Sequence, residues 1–129
     1  MYVMDLSFAE AGKTGQPHIP SPAEPDIEKV LNGLQNGRIV YATFSKDDDA
    51  VLTVHAQSSC FGAAVFYGEE QAYRLWNGEP ESETLIPIGT DEFPKHFVVE
   101  DSELIREVIL CFCLIGDRSK RAKWLVQDL

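Results

Sequence analysis

Apolar and polar positions along this chain change period several times, and each change marks an element. Over residues 2–9, Tyr2, Met4, Leu6 and Phe8 alternate with their neighbours, the period-two signature of a half-buried edge strand. Residues 11–25 hold Gly12, Gly15, Pro17, Pro20, Pro22 and Pro25 and read as a loop, because Pro lacks the ladder donor and Gly relaxes the backbone. The period then shifts to helical. Ile27, Val30, Leu31 and Leu34 share one face, Asp26 and Glu28 sit in the first turn, and Asn36-Gly37 is a stop signal. Residues 38–45, 50–57, 60–67 and 71–76 are short runs rich in Val, Phe, Tyr and Thr. The turns between them are too short for a crossover helix, so an antiparallel meander is predicted. Within it Leu52, Val54 and Ala56 take the core side and Val51, Thr53 and His55 the other. Residues 84–88 and 95–99 are candidate strands, kept to edges or strand ends by Pro87 and Pro94. A second helix is expected over 101–115, capped by Asp101 or Ser102 and closed by Gly116, with Leu104, Ile105, Val108, Ile109, Phe112 and Ile115 on its apolar face. A last strand, 120–127, forms around Trp124. The sum is an α+β domain over 1–129: one mainly antiparallel sheet with two helices packed on it.

Composition narrows the class. At 129 residues and 44% apolar the chain matches one globular core, and no apolar run reaches the roughly 18 residues of a membrane span. Met1-Tyr2-Val3-Met4-Asp5 shows no secretory pattern, so cytoplasmic residence is expected and a membrane partner is not. Cys60, Cys111 and Cys113 are an odd set suited to a reducing compartment. Cys111 and Cys113 diverge by about 200° around a helix, which makes them core thiols and not ligands of one metal ion.

Charge adds direction. The chain carries 21 acids against 11 bases, a formal charge of −10, and −8 of it lies in residues 67–107. Such a field repels nucleic acid and draws a basic partner at a salt-dependent rate. The basic stretch Arg118, Lys120, Arg121 and Lys123 is read as complementing a helix C-terminus in an otherwise acidic protein.

Candidate chemistry is thin. His18, His55 and His96 do not cluster in sequence, Ser58-Ser59-Cys60 reads as a turn with no nucleophile elbow around it, and Gly62, Gly68 and Gly78 form no phosphate loop. Lys46-Asp47-Asp48-Asp49 lacks the alternate spacing of a calcium loop. No catalytic set, cofactor or metal is therefore expected. The acids matter more. Asp47 and Asp48 cap one hairpin, and Glu79, Glu81, Asp91 and Glu92 lie in loops after Trp76. Acids in loops serve solvation or an interface. Beside Tyr73, Trp76 and Trp124 they match a binding face in which aromatic anchors supply affinity and charges set rate and specificity.

The helix over Ile27 and Leu34 with its Asn36-Gly37 stop, the strand ending Tyr73-Arg74-Leu75-Trp76, and the tail from Phe97-Val98-Val99-Glu100 through Phe112, Gly116 and Trp124 carry a resemblance. In this order, over most of the chain, they resemble an immunity-protein family of bacterial polymorphic toxin systems, the one numbered first among those families. That family often has a Pro between the Gly and the Trp, and this tail has none. The resemblance implies an α+β protein made beside a secreted toxin, often a nucleic-acid deaminase, which it binds and blocks in the producing cell. The chain itself lacks the zinc signature of such a deaminase.

The expected function is thus neutralisation of a cognate, basic toxin domain through Asp47, Asp48, Tyr73, Trp76, Glu79, Glu81, Asp91, Glu92 and Trp124, with no covalent chemistry. The alternatives are a small enzyme with a pocket around His55 and Cys60, and an interaction module or chaperone of a secretion apparatus.

Overall fold

A computed structural model describes residues 3–47, 50–57, 61–88 and 91–128, with the backbone alone at Asp47, Gln57 and Phe61. Its framework is a seven-stranded sheet in the order β2-β1-β3-β4-β5-β6-β9, every neighbouring pair antiparallel. The strands are β1 (Asp5–Glu10), β2 (His18–Pro20), β3 (Ile39–Asp47), β4 (Ala50–Gln57), β5 (Phe61–Tyr67), β6 (Gln71–Trp76) and β9 (Lys123–Asp128). A separate hairpin pairs β7 (Leu85–Ile88) with β8 (Asp91–Pro94). The helices are α1 (Glu24–Asn36) and α2 (Ser102–Ile115), so the α+β architecture holds. No helix among the described residues is long and apolar enough to cross a membrane.

Both helices follow from their sequence. In α1 the Asp26 carboxylate accepts the backbone N–H of Ala23 at 2.9 Å, Pro25 occupies the first turn, and Ile27, Val30, Leu31 and Leu34 are buried. In α2 Asp101 is the cap, its carboxylate accepting the N–H groups of Glu103 and Leu104 at 3.1 and 3.2 Å. Gly116, at φ 79°, ends that helix in the left-handed conformation that Gly adopts without strain.

The main core lies between these helices and one face of the sheet, where Leu6, Phe44, Leu52, Val54 and Leu75 meet Val30, Val108, Ile109 and Phe112 at 1% exposure or less. Leu52, Val54 and Ala56 are on this face, as their alternation predicts. Closeness is set by Gly62 on β5, where a Cβ would sit 2.8 Å from Ile105 Cδ1, so α2 approaches the strand only because the side chain is missing. The opposite face carries a smaller cluster, in which Ile88, Phe93 and Val98 pack on Ala63.

Several sequence expectations give way: Ile115, expected on the apolar face of α2, is 64% exposed, and Cys111, expected in the core, is half-buried. The 11–25 loop contains a short strand, β2, so β1 has neighbours on both sides and is not an edge. Residues 95–99 are not a strand: Lys95–Phe97 form a 3-10 turn, and of the rest Val99 alone bridges, to Gly62. Asp91 and Glu92 belong to β8 and not to a loop. Tyr2, at the start of the first predicted strand, lies outside the described residues.

Candidate functional site

Residues 77–101, between β6 and α2, leave the sheet, cover part of its second face and return. They hold seven acids and one lysine. The excursion is fixed from its first residue. The Asn77 side-chain amide donates to the carbonyls of Lys95 and Val98 at 3.0 and 3.1 Å, while its backbone N–H donates to His96 O at 3.0 Å. Asn77 Oδ1 accepts the N–H of Glu79 at 2.8 Å, and the indole N–H of Trp76 donates to Glu79 O at 2.7 Å. Further along, Ser82 N–H donates to Nδ1 of the buried His96 at 3.0 Å, and Lys95 N–H to Thr84 O at 2.8 Å. The loop 77–84 is therefore laced to 95–98, and Glu79, Glu81 and Glu83 project into solvent from a fixed backbone.

Beneath this excursion β3, β4 and β8 converge. Tyr41 and His55 are register partners, with ring centroids 4.6 Å apart, and Phe93 lies 4.9 Å from His55 on another side. His55 Nε2 is 3.2 Å from Asp91 Oδ2. Burial pushes the imidazole below its ordinary pKa, and the attraction and hydrogen bond of the Asp91 carboxylate oppose that shift. An opening of about 400 Å³ adjoins the pair, lined in part by Gln16, Val40, Tyr41 and Ile88. Among the described residues of its lining the one hydroxyl, thiol or amine is the Tyr41 phenol, whose oxygen accepts from Thr43 Oγ1 at 2.8 Å.

The candidate binding residues divide between places. Trp76, half-buried, and the exposed Glu79, Glu81, Asp91 and Glu92 belong to the second face and its excursion. Tyr73 and Trp124 point to the helix-bearing face. Tyr73 donates its hydroxyl proton to Gln71 Oε1 at 2.9 Å beneath the Arg118 guanidinium, 3.6 Å from the ring centroid, and the Trp124 indole N–H donates to Ser119 O at 3.0 Å. Asp47 ends β3 beside the start of β4, at the end of the sheet opposite to Trp76, and Asp48 lies outside the described residues. So do Ser58, Ser59 and Cys60; the pocket expected around His55 is thus described on its Tyr41 and Asp91 side alone.

Other candidates are absorbed into the fold. His18 Nε2 lies 2.8 Å from Asp5 Oδ1 at the sheet edge. Arg121 pairs with Glu107 at 3.4 Å, and Lys123 Nζ stands 6.0 Å from the Trp76 ring centroid. Burial raises the Cys113 thiol to about 12 and also raises that of Cys111, with Asp117 and Glu107 adding to the latter. Among the described residues no group of three or more His, Cys, Asp or Glu is placed to hold a metal ion.

Asn77, His96 and the partnership of Asp91 with His55 escape a reading by sequence alone. One signal for the last existed: Gly89-Thr90 between Ile88 and Asp91 is a two-residue spacing that suits a hairpin, and a hairpin there returns Asp91 towards the sheet. Comparison with protein-family models, curated proteins and solved structures finds no match to this chain.

Proposed function

We propose that this chain is an immunity protein: it binds a cognate, basic toxin domain in the cytoplasm of the producing cell, blocks it, and makes no covalent change. The observation that carries the reading is the fixed acidic excursion. Glu79 and Glu81 are exposed beside Trp76 on a backbone held by side-chain bonds, and Asp91 and Glu92 are exposed on the β7–β8 hairpin, so a cationic surface meets charges whose positions are already set. The resemblance of the helix, the Tyr73-Arg74-Leu75-Trp76 strand and the tail to toxin-system immunity proteins supports it independently. A toxin that acts on nucleic acid presents a positive groove for phosphates, and a surface of this sign competes for that groove. About 800 Å² of each partner would be covered in an interface of ordinary size.

The test is co-expression with the basic toxin domain encoded beside this chain. Growth is rescued and the two proteins co-purify; an unprotected culture with no complex overturns the reading. Replacing Glu79, Glu81 and Glu92 together with Gln slows association about tenfold in dilute buffer and far less at high salt, because steering by surface charge is screened.

A second reading, a small enzyme with His55 as its base, draws on the contact of His55 with Asp91 in an open cleft. It is the weaker because the described lining brings no activated nucleophile to that histidine.

A further inference from the structure

The opening beside His55 has a composition that selects one kind of occupant. Its floor is aromatic, with Tyr41 and His55 side by side and Phe93 behind. Val40 and Ile88 give aliphatic walls, and Gln16 adds an amide at the rim. The charged group of the lining is the Asp91 carboxylate, which is 60% exposed although it touches His55. A carboxylate has about four acceptor positions, and a single imidazole N–H uses one of them. Acceptors therefore remain, and among the described residues no Lys or Arg lines the opening to use them.

We propose that this cleft is a receptor for one guanidinium group, the side chain of an arginine on a partner protein. Its plane lies against the Tyr41 ring, its N–H groups donate to Asp91, and its aliphatic stem runs along Val40 and Ile88. Arginine is preferred to lysine because a flat, weakly hydrated cation stacks on an aromatic ring and meets a carboxylate with two donors, whereas an ammonium group is compact and keeps its water. An anion is excluded by Asp91, by Glu92 next to it, and by the net charge of the excursion. The proposal rests on the reading of this chain as a binder of a basic protein, and supplies the arginine-specific contact that a diffuse acidic surface lacks.

The experiment titrates the full chain with methylguanidinium chloride and, separately, methylammonium chloride at pH 8 and constant ionic strength, following the side-chain NMR signals of His55, Tyr41 and Gln16. Expected are saturable shifts confined to these residues, with methylguanidinium binding about fivefold more tightly than methylammonium. Asp91→Asn weakens the guanidinium affinity about tenfold, and Glu70→Gln, in the exposed turn between β5 and β6, changes it less than about twofold. Amide signals of Ala63 and Val98 report whether β7 and β8 stay docked in Asp91→Asn. If they do not, Tyr41→Leu decides, with an expected loss of about fivefold while Asp91 still contacts His55. Shifts that spread over every acidic residue without saturating, equal response to both cations, or indifference to both variants overturn the proposal. A chain that captures its toxin with unchanged affinity as both Asp91→Asn and Tyr41→Leu refutes the arginine contact and leaves the immunity reading standing. Localised guanidinium binding in a chain that captures no toxin does the reverse.

Discussion

The two faces of the sheet are covered by different means. On one, α1 and α2 bury a continuous apolar layer in which Leu6, Phe44, Leu75, Val30, Ile109 and Phe112 reach 1% exposure or less. On the other, a hairpin and a 3-10 turn rest on four buried apolar residues, and polar bonds from Asn77 and His96 hold the rest in place. The first face obtains its stability from area removed from water, which is non-directional and large. The second relies on individual bonds, each modest in net effect but strict about geometry. The acids of the excursion therefore stand on the less stable layer, where position is fixed by few contacts and local opening costs less than global unfolding.

The largest test of this contrast is to remove one aromatic side chain from each layer. Phe112→Ala leaves a cavity between α2 and the sheet and lowers global stability by about 3–5 kcal/mol. Phe93→Ala, at 8% exposure in the small cluster, costs less than half as much in urea unfolding, yet hydrogen exchange quickens selectively over 85–98. Equal losses from the two variants, both global, would show that the two layers form one cooperative unit and break the comparison.

Asn77→Ala sharpens it. The variant deprives the Lys95 and Val98 carbonyls of their side-chain donor and the Glu79 N–H of its acceptor, at a cost of about 1–3 kcal/mol. That loss falls on the excursion, so amide exchange of Glu79 and Val98 rises while that of α1 is unchanged. Under the proposed function, capture of the basic toxin domain also slows, because Glu79 and Glu81 lose their fixed positions. Uniform protection across the molecule after this change would refute the bracket role of Asn77.

Legibility in sequence follows the same division. Both helices and the meander are announced by periods of apolar residues, since burial against a face is what creates a period. In the excursion 84–88 reads as a strand and forms β7, but the remainder has no such period. Asp91-Glu92-Phe93-Pro94 contains one large apolar residue, so nothing in it reads as a strand, and Pro94 followed by Lys95-His96-Phe97 turns where alternation suggests extension. Asn77-Gly78 looks like a turn and nothing more; its partners are 18 and 21 residues distant. β2 is hidden because three residues ending in Pro20 carry no pattern. Among the candidate site residues, alternation sets Trp124 opposite to Lys123 and Leu125 and sets Tyr73 opposite to Trp76, three residues along the same strand, but which face the helices cover is decided by chain topology.

The smallest expected effect concerns pH and separates the two faces by charge. Among the described residues the buried cluster under the helices holds no ion pair, whereas the second face holds His55 against Asp91. Because burial sets the folded-state pKa of His55 below its ordinary 6.5, the unfolded chain binds a proton more readily than the folded one. The stability associated with neutral His55 is thus complete above 6.5 and is lost as pH falls through that value towards the lower folded pKa. The attraction of Asp91 limits the loss, since an imidazolium in that position gains a partner. Urea midpoints measured from pH 8 to pH 5 should fall slightly in the native chain, and His55→Gln should remove that part of the slope. A native chain that gains stability across the same interval, relative to His55→Gln, would mean that the carboxylate outweighs burial, and that the second face is clamped by charge instead of by packing.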